Sequence, residues 1–304
     1  MMLTLCLYRT SVTLMSGRDR VTLALLAATV LILVPGRCAL GREAGASARA
    51  LGLADAVQGL GFGTAGLYFN PAAMSQIRQY AIDAGYGYDA TRGTHNAHVS
   101  VVDSQTNPDV GGGLGYTYFR SNREGHSFQG HDVRSSLSAR FGLESVSLAF
   151  GAGFRYLKVS GDLPQDEVSA PTLDLGALLG ISDHFYLGVA GQNLITFSAT
   201  HAPRLLGVGI GVSVSVVNIG GSAVVDFESK DHTIVSPSGG LEVVLANTLA
   251  LRSGFMWDRA MDQKRVTGGL GYISQYVGVD VGYGHDVSDR TRWVIQSSLR
   301  VFLP

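Results

Sequence analysis

The stretch "LLGVGIGVSVSV", Leu205 to Val216, decides the fold. Leu206, Val208, Ile210, Val212, Val214 and Val216 alternate with Gly207, Gly209, Gly211, Ser213 and Ser215. A repeat of two is the mark of a strand, since a helix would repeat near 3.6. The second face carries the information. A soluble sheet shows water a face of Lys, Glu and Thr, whereas this one is small and uncharged, which suits a confined interior.

The same alternation recurs along the chain. "YAIDAGYGYD" sets Tyr80, Ile82, Ala84, Tyr86 and Tyr88 against Asp83, Gly85 and Gly87; "TLALRSGFMWD" sets Leu249, Leu251, Phe255 and Trp257 against Ala250, Arg252, Gly254 and Asp258. Fourteen strands are predicted, near 78–89, 95–103, 109–120, 131–142, 144–158, 170–181, 183–193, 203–217, 219–229, 237–246, 248–258, 264–273, 275–285 and 291–302. Long polar connections at 121–130, 159–169, 194–202, 230–236, 259–263 and 286–290 alternate with tight ones near 143, 182, 218, 247 and 274. An up-and-down barrel with long loops at one end and short turns at the other requires that alternation.

Composition supports this. Glycine occurs 40 times in 304 residues, and each would cost a helix about 1 kcal/mol relative to Ala. The apolar face carries almost no charge, with Lys158 at a strand end; a basic residue at mid-membrane on that face would cost roughly 2–4 kcal/mol. Aromatics collect at both ends: Tyr88, Tyr118, Tyr156, Phe227, Trp257, Tyr283 and Trp293 at the outer, Tyr80, Phe141, Phe185, Tyr272 and Tyr276 at the inner. An open sheet edge in lipid would leave backbone groups unpaired, so the strands must close. The expected fold is all-β, a transmembrane antiparallel barrel of about 14 strands over residues 78–304.

Residues 1–41 read as an export signal. Arg18 and Arg20 precede the apolar run Val21 to Val34, and Ala39-Leu40-Gly41 offers small residues for cleavage. Met15 is a more conventional start. The only cysteines, Cys6 and Cys38, both lie in this leader, so the rest of the chain has no disulfide, thiol nucleophile or cysteine metal site. The formal net charge of -1 gives no footprint for nucleic acid.

"GFGTAGLYFNPAAM", Gly61 to Met74, admits two readings. Gly61, Gly63 and Gly66 fit the dinucleotide fingerprint G-x-G-x-x-G, with Asp83 downstream as the acidic partner. That motif needs a strand before it and a helix after it, and neither is predicted here. A glycine-rich segment threading a filled lumen, turned at Asn70-Pro71-Ala72, accounts for the same residues. Pro71 fixes its own φ and biases Asn70 toward extended backbone.

"ARALG" (Ala48 to Gly52), the pair Tyr68-Phe69 and Asn70-Pro71-Ala72 resemble the N-terminal region of the FadL-like outer-membrane proteins, particularly their PorV/PorQ branch. The resemblance continues through "LGVAGQNL" (Leu187 to Leu194), "PRLLGVGIGVS" (Pro203 to Ser213), "GLEVVLANTLALRSGF" (Gly240 to Phe255), "GGLGY" (Gly268 to Tyr272) and "VDVGYGHD" (Val279 to Asp286). It implies a fourteen-stranded barrel in the bacterial outer membrane, with residues 42–77 as plug or hatch. It also implies one of two roles. The first is passive transport or binding of hydrophobic, fatty-acid-like small molecules. The second is that of an accessory holding or escorting secreted proteins at the cell surface. The chain departs from the pattern in Ala73, where Gly is usual, and in its ending RVFLP.

No catalytic constellation, cofactor motif or metal site is expected, so the chain reads as a non-enzyme. The eight histidines read as solvated residues of loops and strand ends. By alternation ten charges point inward, five of each sign: Asp83, Asp174, Asp226, Glu242 and Asp280 against Arg134, Arg140, Arg155, Arg252 and Arg300. Such balance suggests ion pairs and hydrogen bonds to a plug. The connections give little surface for gripping a protein, which favours transport. The expected partners are outer-membrane lipid and a hydrophobic ligand, with secreted proteins as the alternative.

Overall fold

A computed structural model describes residues 47–123, 126–162, 167–195, 198, 201–228 and 233–303; the export-signal reading of residues 1–41 lies outside them. Fourteen strands form one closed antiparallel barrel: β1 (Tyr80–Asp89), β2 (Thr94–Asp103), β3 (Val110–Arg123), β4 (His126–Leu143), β5 (Val146–Gly161), β6 (Val168–Ile181), β7 (Phe185–Gln192), β8 (Leu205–Val214), β9 (Val217–Asp226), β10 (Ile234–Leu245), β11 (Leu249–Asp258), β12 (Gln263–Ile273), β13 (Val277–Asp286) and β14 (Trp293–Leu303). Each strand pairs with its sequence neighbour. The seam closes β1 on β14, from Tyr80↔Leu303 to Asp89↔Val294.

Tight turns join the strands at the end where Tyr80 and Leu303 lie, here called the inner end. Left-handed backbone at Glu144, Ser182, Asp183, Ser215, Ala246 and Asn247 reverses the chain there, matching the right-handed twist of the flanking strands. The far end differs from expectation. The segment 121–130, expected to be a loop, is largely strand, and 159–169, also expected to be a loop, is strand at 159–161 and 168–169, because β3 to β6 continue to Arg123, His126, Gly161 and Val168. Hydrophobic alternation stops where the apolar belt stops, but the backbone ladder goes on. Phe128 pairs with Gly161, and Asp162 accepts from Ser127 N at 2.8 Å.

The exterior is apolar. Leu251, Phe255, Val266, Leu270, Val281 and Leu299 all stand exposed on the outer face of neighbouring strands. Rings of mixed character bound this belt. At the far end Tyr86, Tyr116 and Tyr283 bond the Nδ1 atoms of His95, His131 and His285 at 2.6, 2.7 and 3.2 Å. Nearby Tyr88 meets Trp293 edge-on at 5.3 Å. Phe141, Tyr272 and Tyr276 stand exposed at the inner end.

The lumen is occupied by the chain's own N-terminal side. The described inner segment begins with α1 (Ala48–Gly52), whose N-cap Ser47 accepts from Ala50 N at 3.3 Å. A 3-10 turn (Gly63–Ala65), α2 (Gly66–Phe69) and a 3-10 helix (Pro71–Gln76) follow. Leu53, Val57, Leu60, Asn70, Ala72, Ala73 and Met74 are completely buried. The chain leaves the lumen at Ile77, where Ser104 donates to the Ile77 carbonyl at 2.5 Å before β1 begins.

Candidate functional site

Glycines on the wall make room for the inner segment. Gly211, Gly220, Gly240 and Gly254 face one another in a single row across β8, β9, β10 and β11. Gly188 pairs with Gly209, Gly151 with Gly176, and Gly269 with Gly282. A methyl on Gly240 would sit 2.5 Å from the Leu53 carbonyl oxygen, and one on Gly282 2.5 Å from that of Ala48. Nine adjacent strands, β5 to β13, thus carry a glycine against the segment, mostly against its backbone. Small residues let two backbones approach where any side chain would hold them apart.

Within the segment, the residues expected to form the hatch have distinct jobs. Gly63 has φ +65, and a methyl there would collide with the Gln79 amide. Gly61 lies beneath the Val57 carbonyl, and Gly66 against Met74. Asn70 is extended, at φ -152 and ψ 103, and caps the helix opened by Pro71 by accepting from Ala72 N at 3.1 Å. Its Nδ2 donates to the carbonyls of Gln58 and Ala177, each at 3.2 Å. One carboxamide therefore ties together two parts of the segment and β6. Ala72 packs with Ala73, Leu60, Ala149, Leu178 and Tyr186.

Eight of the ten charges expected inside gather in two clusters. In the first, Arg252 donates to Glu242 at 2.6 Å and pairs with Asp280. Arg300 bridges Asp280 at 3.5 Å and Asp83 at 3.0 Å, so the pair with Asp83 crosses the β14–β1 seam. Arg49 of α1 completes it. Its guanidinium makes a double contact with Glu242 at 2.8 and 3.0 Å and donates to the Leu60 carbonyl at 3.0 Å. In the second cluster Arg155 forks onto Asp132 at 2.9 and 3.1 Å, and Arg134 shares Asp132 at 3.1 Å. Asp174 lies 3.7 Å from Arg134 and accepts from Asn193 N at 2.8 Å.

The remaining two stand apart. Arg140 is half-buried at the inner rim, 3.6 Å from exposed Asp183. Asp226 is buried at the far end and accepts from Glu228 N at 2.8 Å.

Four members of the clusters escaped the sequence reading. Asp132 sits two residues before Arg134 and so shares its face, but it is only the second residue of the expected strand 131–142. Arg49 and Asp55 are the only charges between Ser47 and Ile77, so a cation within an apolar plug was the available signal. Asn193 follows the last residue of β7 and carried no signal. His98 corrects the reading of all histidines as solvated. It is buried, its Nε2 lies 3.1 Å from Asp83 Oδ1, and its ring stands edge-on to Tyr68 at 6.2 Å. Alternation within β2 placed it inward, opposite Gly85, where there is space for an imidazole.

Within the two clusters the arrangement holds charge in place and matches cation to carboxylate. Arg49, Arg252 and Arg300 face Glu242, Asp280 and Asp83; Arg134 and Arg155 face Asp132 and Asp174. Buried charges persist when paired and hydrogen-bonded in this way.

Solved structures share this architecture. The chain is similar to the CymD monoaromatic hydrocarbon channel at 12% identity and TM-score 0.60, covering 85% of this chain and 96% of that one. It is similar to the Acinetobacter baumannii outer membrane protein Omp33 at 12% identity and TM-score 0.50, covering 74% and 98%. No family model matches the chain, and no curated protein matches it. At these identities the likeness is one of fold: a closed β-barrel of the outer-membrane type.

Proposed function

We propose that the chain is an outer-membrane channel of the FadL-like kind, and of its PorV/PorQ branch, passing hydrophobic, fatty-acid-like small molecules passively. Residues 1–41 would direct export, and residues 42–77 would act as the plug. One observation carries the reading: a barrel with an apolar exterior encloses a bore that holds its own N-terminal segment, and its two charge clusters are each balanced. A strongly charged bore would select ions; each of these clusters pairs its arginines with carboxylates. The CymD channel, to whose fold this chain is similar, is a monoaromatic hydrocarbon channel, and its cargo is likewise a hydrophobic small molecule.

A role in escorting secreted proteins would need a broad surface above the membrane. The longest connection spans only residues 193–204, between β7 and β8, so passage is favoured. Uptake of radiolabelled toluene and oleate is to be measured in outer-membrane-intact cells with and without the chain. Faster uptake of either supports the proposal; equal uptake, together with secreted proteins retained on the purified barrel, turns it toward the escort role.

A further inference from the structure

The inner segment does not meet all sides of the barrel alike. Around β5 to β13 its backbone lies in the glycine row. On β1 the wall glycines are covered by side chains of the flanking strands β2 and β14. His98 lies over Gly85, and the amides of Asn96 and Gln296 meet over Gly87. These residues form successive rows of one strip. Asp83, Ser100 and Arg300 lie nearest the inner end; next come Gly85, His98 and Ser298, then Gly87, Asn96 and Gln296. The segment reaches this wall through side chains, with Thr64 Oγ1 3.4 Å from Asp83 and Tyr68 beside His98.

Beyond the Asp83–Arg300 ion pair, the rows of Gly85 and Gly87 carry no carboxylate or guanidinium and are short of partners. Asn96 is 1% exposed, and neither its Nδ2 nor its Oδ1 meets a partner among the described residues. The hydroxyls of Thr94 and Ser298 are likewise buried without one. A buried amide left unsatisfied forfeits its hydration with nothing in return, and native interiors keep few such groups. Four such atoms on β2 and β14, on either side of β1, mark a surface that regains partners when the strip opens to water or to a polar ligand. Loop 90–93 lies over its far end, where Arg92 reaches Met261 Sδ of the loop 259–262 at 3.0 Å.

We propose that the permeation route runs along the β14–β1–β2 wall, and that its cargo is an uncharged amphiphile. The apolar body would carry one neutral group able to donate and accept a hydrogen bond: a hydroxyl, an amide or a protonated carboxyl. The proposal rests on the channel reading above and specifies its path and cargo. An anionic head would find each arginine of the two clusters already matched by a carboxylate. The carboxamide of Asn96 instead offers a donor and an acceptor. Passage on this side also leaves the backbone contacts of the glycine row intact.

Thiol labelling in reconstituted vesicles tests it, using the full chain with Cys6→Ser and Cys38→Ser so that no other cysteine remains. Asn96→Cys and Ser298→Cys are compared with Ala149→Cys, which lies behind Ala72 and Ala73 on β5. Neutral methyl methanethiosulfonate is expected to label positions 96 and 298 at least tenfold faster than position 149. The anionic sulfonatoethyl reagent is expected to lag the neutral one tenfold at 96 and 298, after correction for reactivity with free thiol. Equal labelling of the two walls, or equal rates for both reagents at the strip, overturns the proposal. The mobility shift between unheated and boiled samples reports folding, and Ser100→Cys replaces any variant that fails it. A reactive strip in a chain that takes up neither toluene nor oleate would leave the route standing and remove the channel reading. An unreactive strip in a chain that still takes them up would remove the route alone.

Discussion

The two charge clusters share a chemistry and hold different things. Arg134, Arg155, Asp132 and Asp174 join β4, β5 and β6 to one another. They meet the inner segment at the Tyr68 ring, 5.3 Å from the Arg134 guanidinium. The other cluster ties the inner segment to the wall through Arg49 and Glu242, and ties the wall to itself across the seam through Arg300 and Asp83. Ion pairing alone therefore says little about purpose. What matters is which pieces of chain the partners come from.

The widest separation between the clusters should come from Asp132→Ala. It strips Arg134 and Arg155 of a shared carboxylate in a buried site, a loss of roughly 3–5 kcal/mol. The temperature at which the unheated gel band converts to the boiled one should fall sharply; an unchanged conversion temperature would refute a structural role for that cluster. Gly240→Val should cost about 1–3 kcal/mol by overpacking and should displace the segment at Leu53, read as faster proteolysis between residues 47 and 77. Unaltered cleavage would mean the row is not a fitted seat. Asn70→Ala removes a cap, one bond within the segment and one to β6, for about 1 kcal/mol, and should open the segment near Pro71 without lowering the barrel's conversion temperature. Smallest is Arg49→Ala, since Glu242 keeps Arg252 at 2.6 Å and Asn218 at 2.9 Å. It should leave barrel stability within error and quicken only cleavage of the segment. A barrel destabilised as far as by Asp132→Ala would erase the distinction between the clusters.

Alternation made most of the architecture legible. In Leu206 to Val216 it separates the lipid side from the lumen side residue by residue, and β8 follows it from Leu205 to Val214. It failed at 121–130 and 159–169, because a ladder beyond the apolar belt needs no apolar face. The site was legible only in part. Inward direction could be counted, giving Asp83, Glu242, Arg252 and Asp280. Which charges would meet could not, because strand order and register around a closed ring decide that. His98 was hidden by the expectation that a lone histidine is solvated, although the same parity that turned Asp83 inward applied to it. Gly61, Gly63 and Gly66 resemble a phosphate cradle only while their context is unknown. Here they sit inside a segment enclosed by sheet.

The glycine row has a consequence for how this sequence can change. Where Gly220 and Gly240 meet the carbonyls of Ala56 and Leu53, the opposing atoms belong to the backbone. Every sequence the segment could carry presents those same atoms. A larger residue on the wall therefore has no compensating substitution across the contact, unlike a swap between two side chains in an ordinary core. The glycines and the path of the segment can only be altered together, by moving backbone, while the lipid-facing residues one position away stay free to exchange among apolar types.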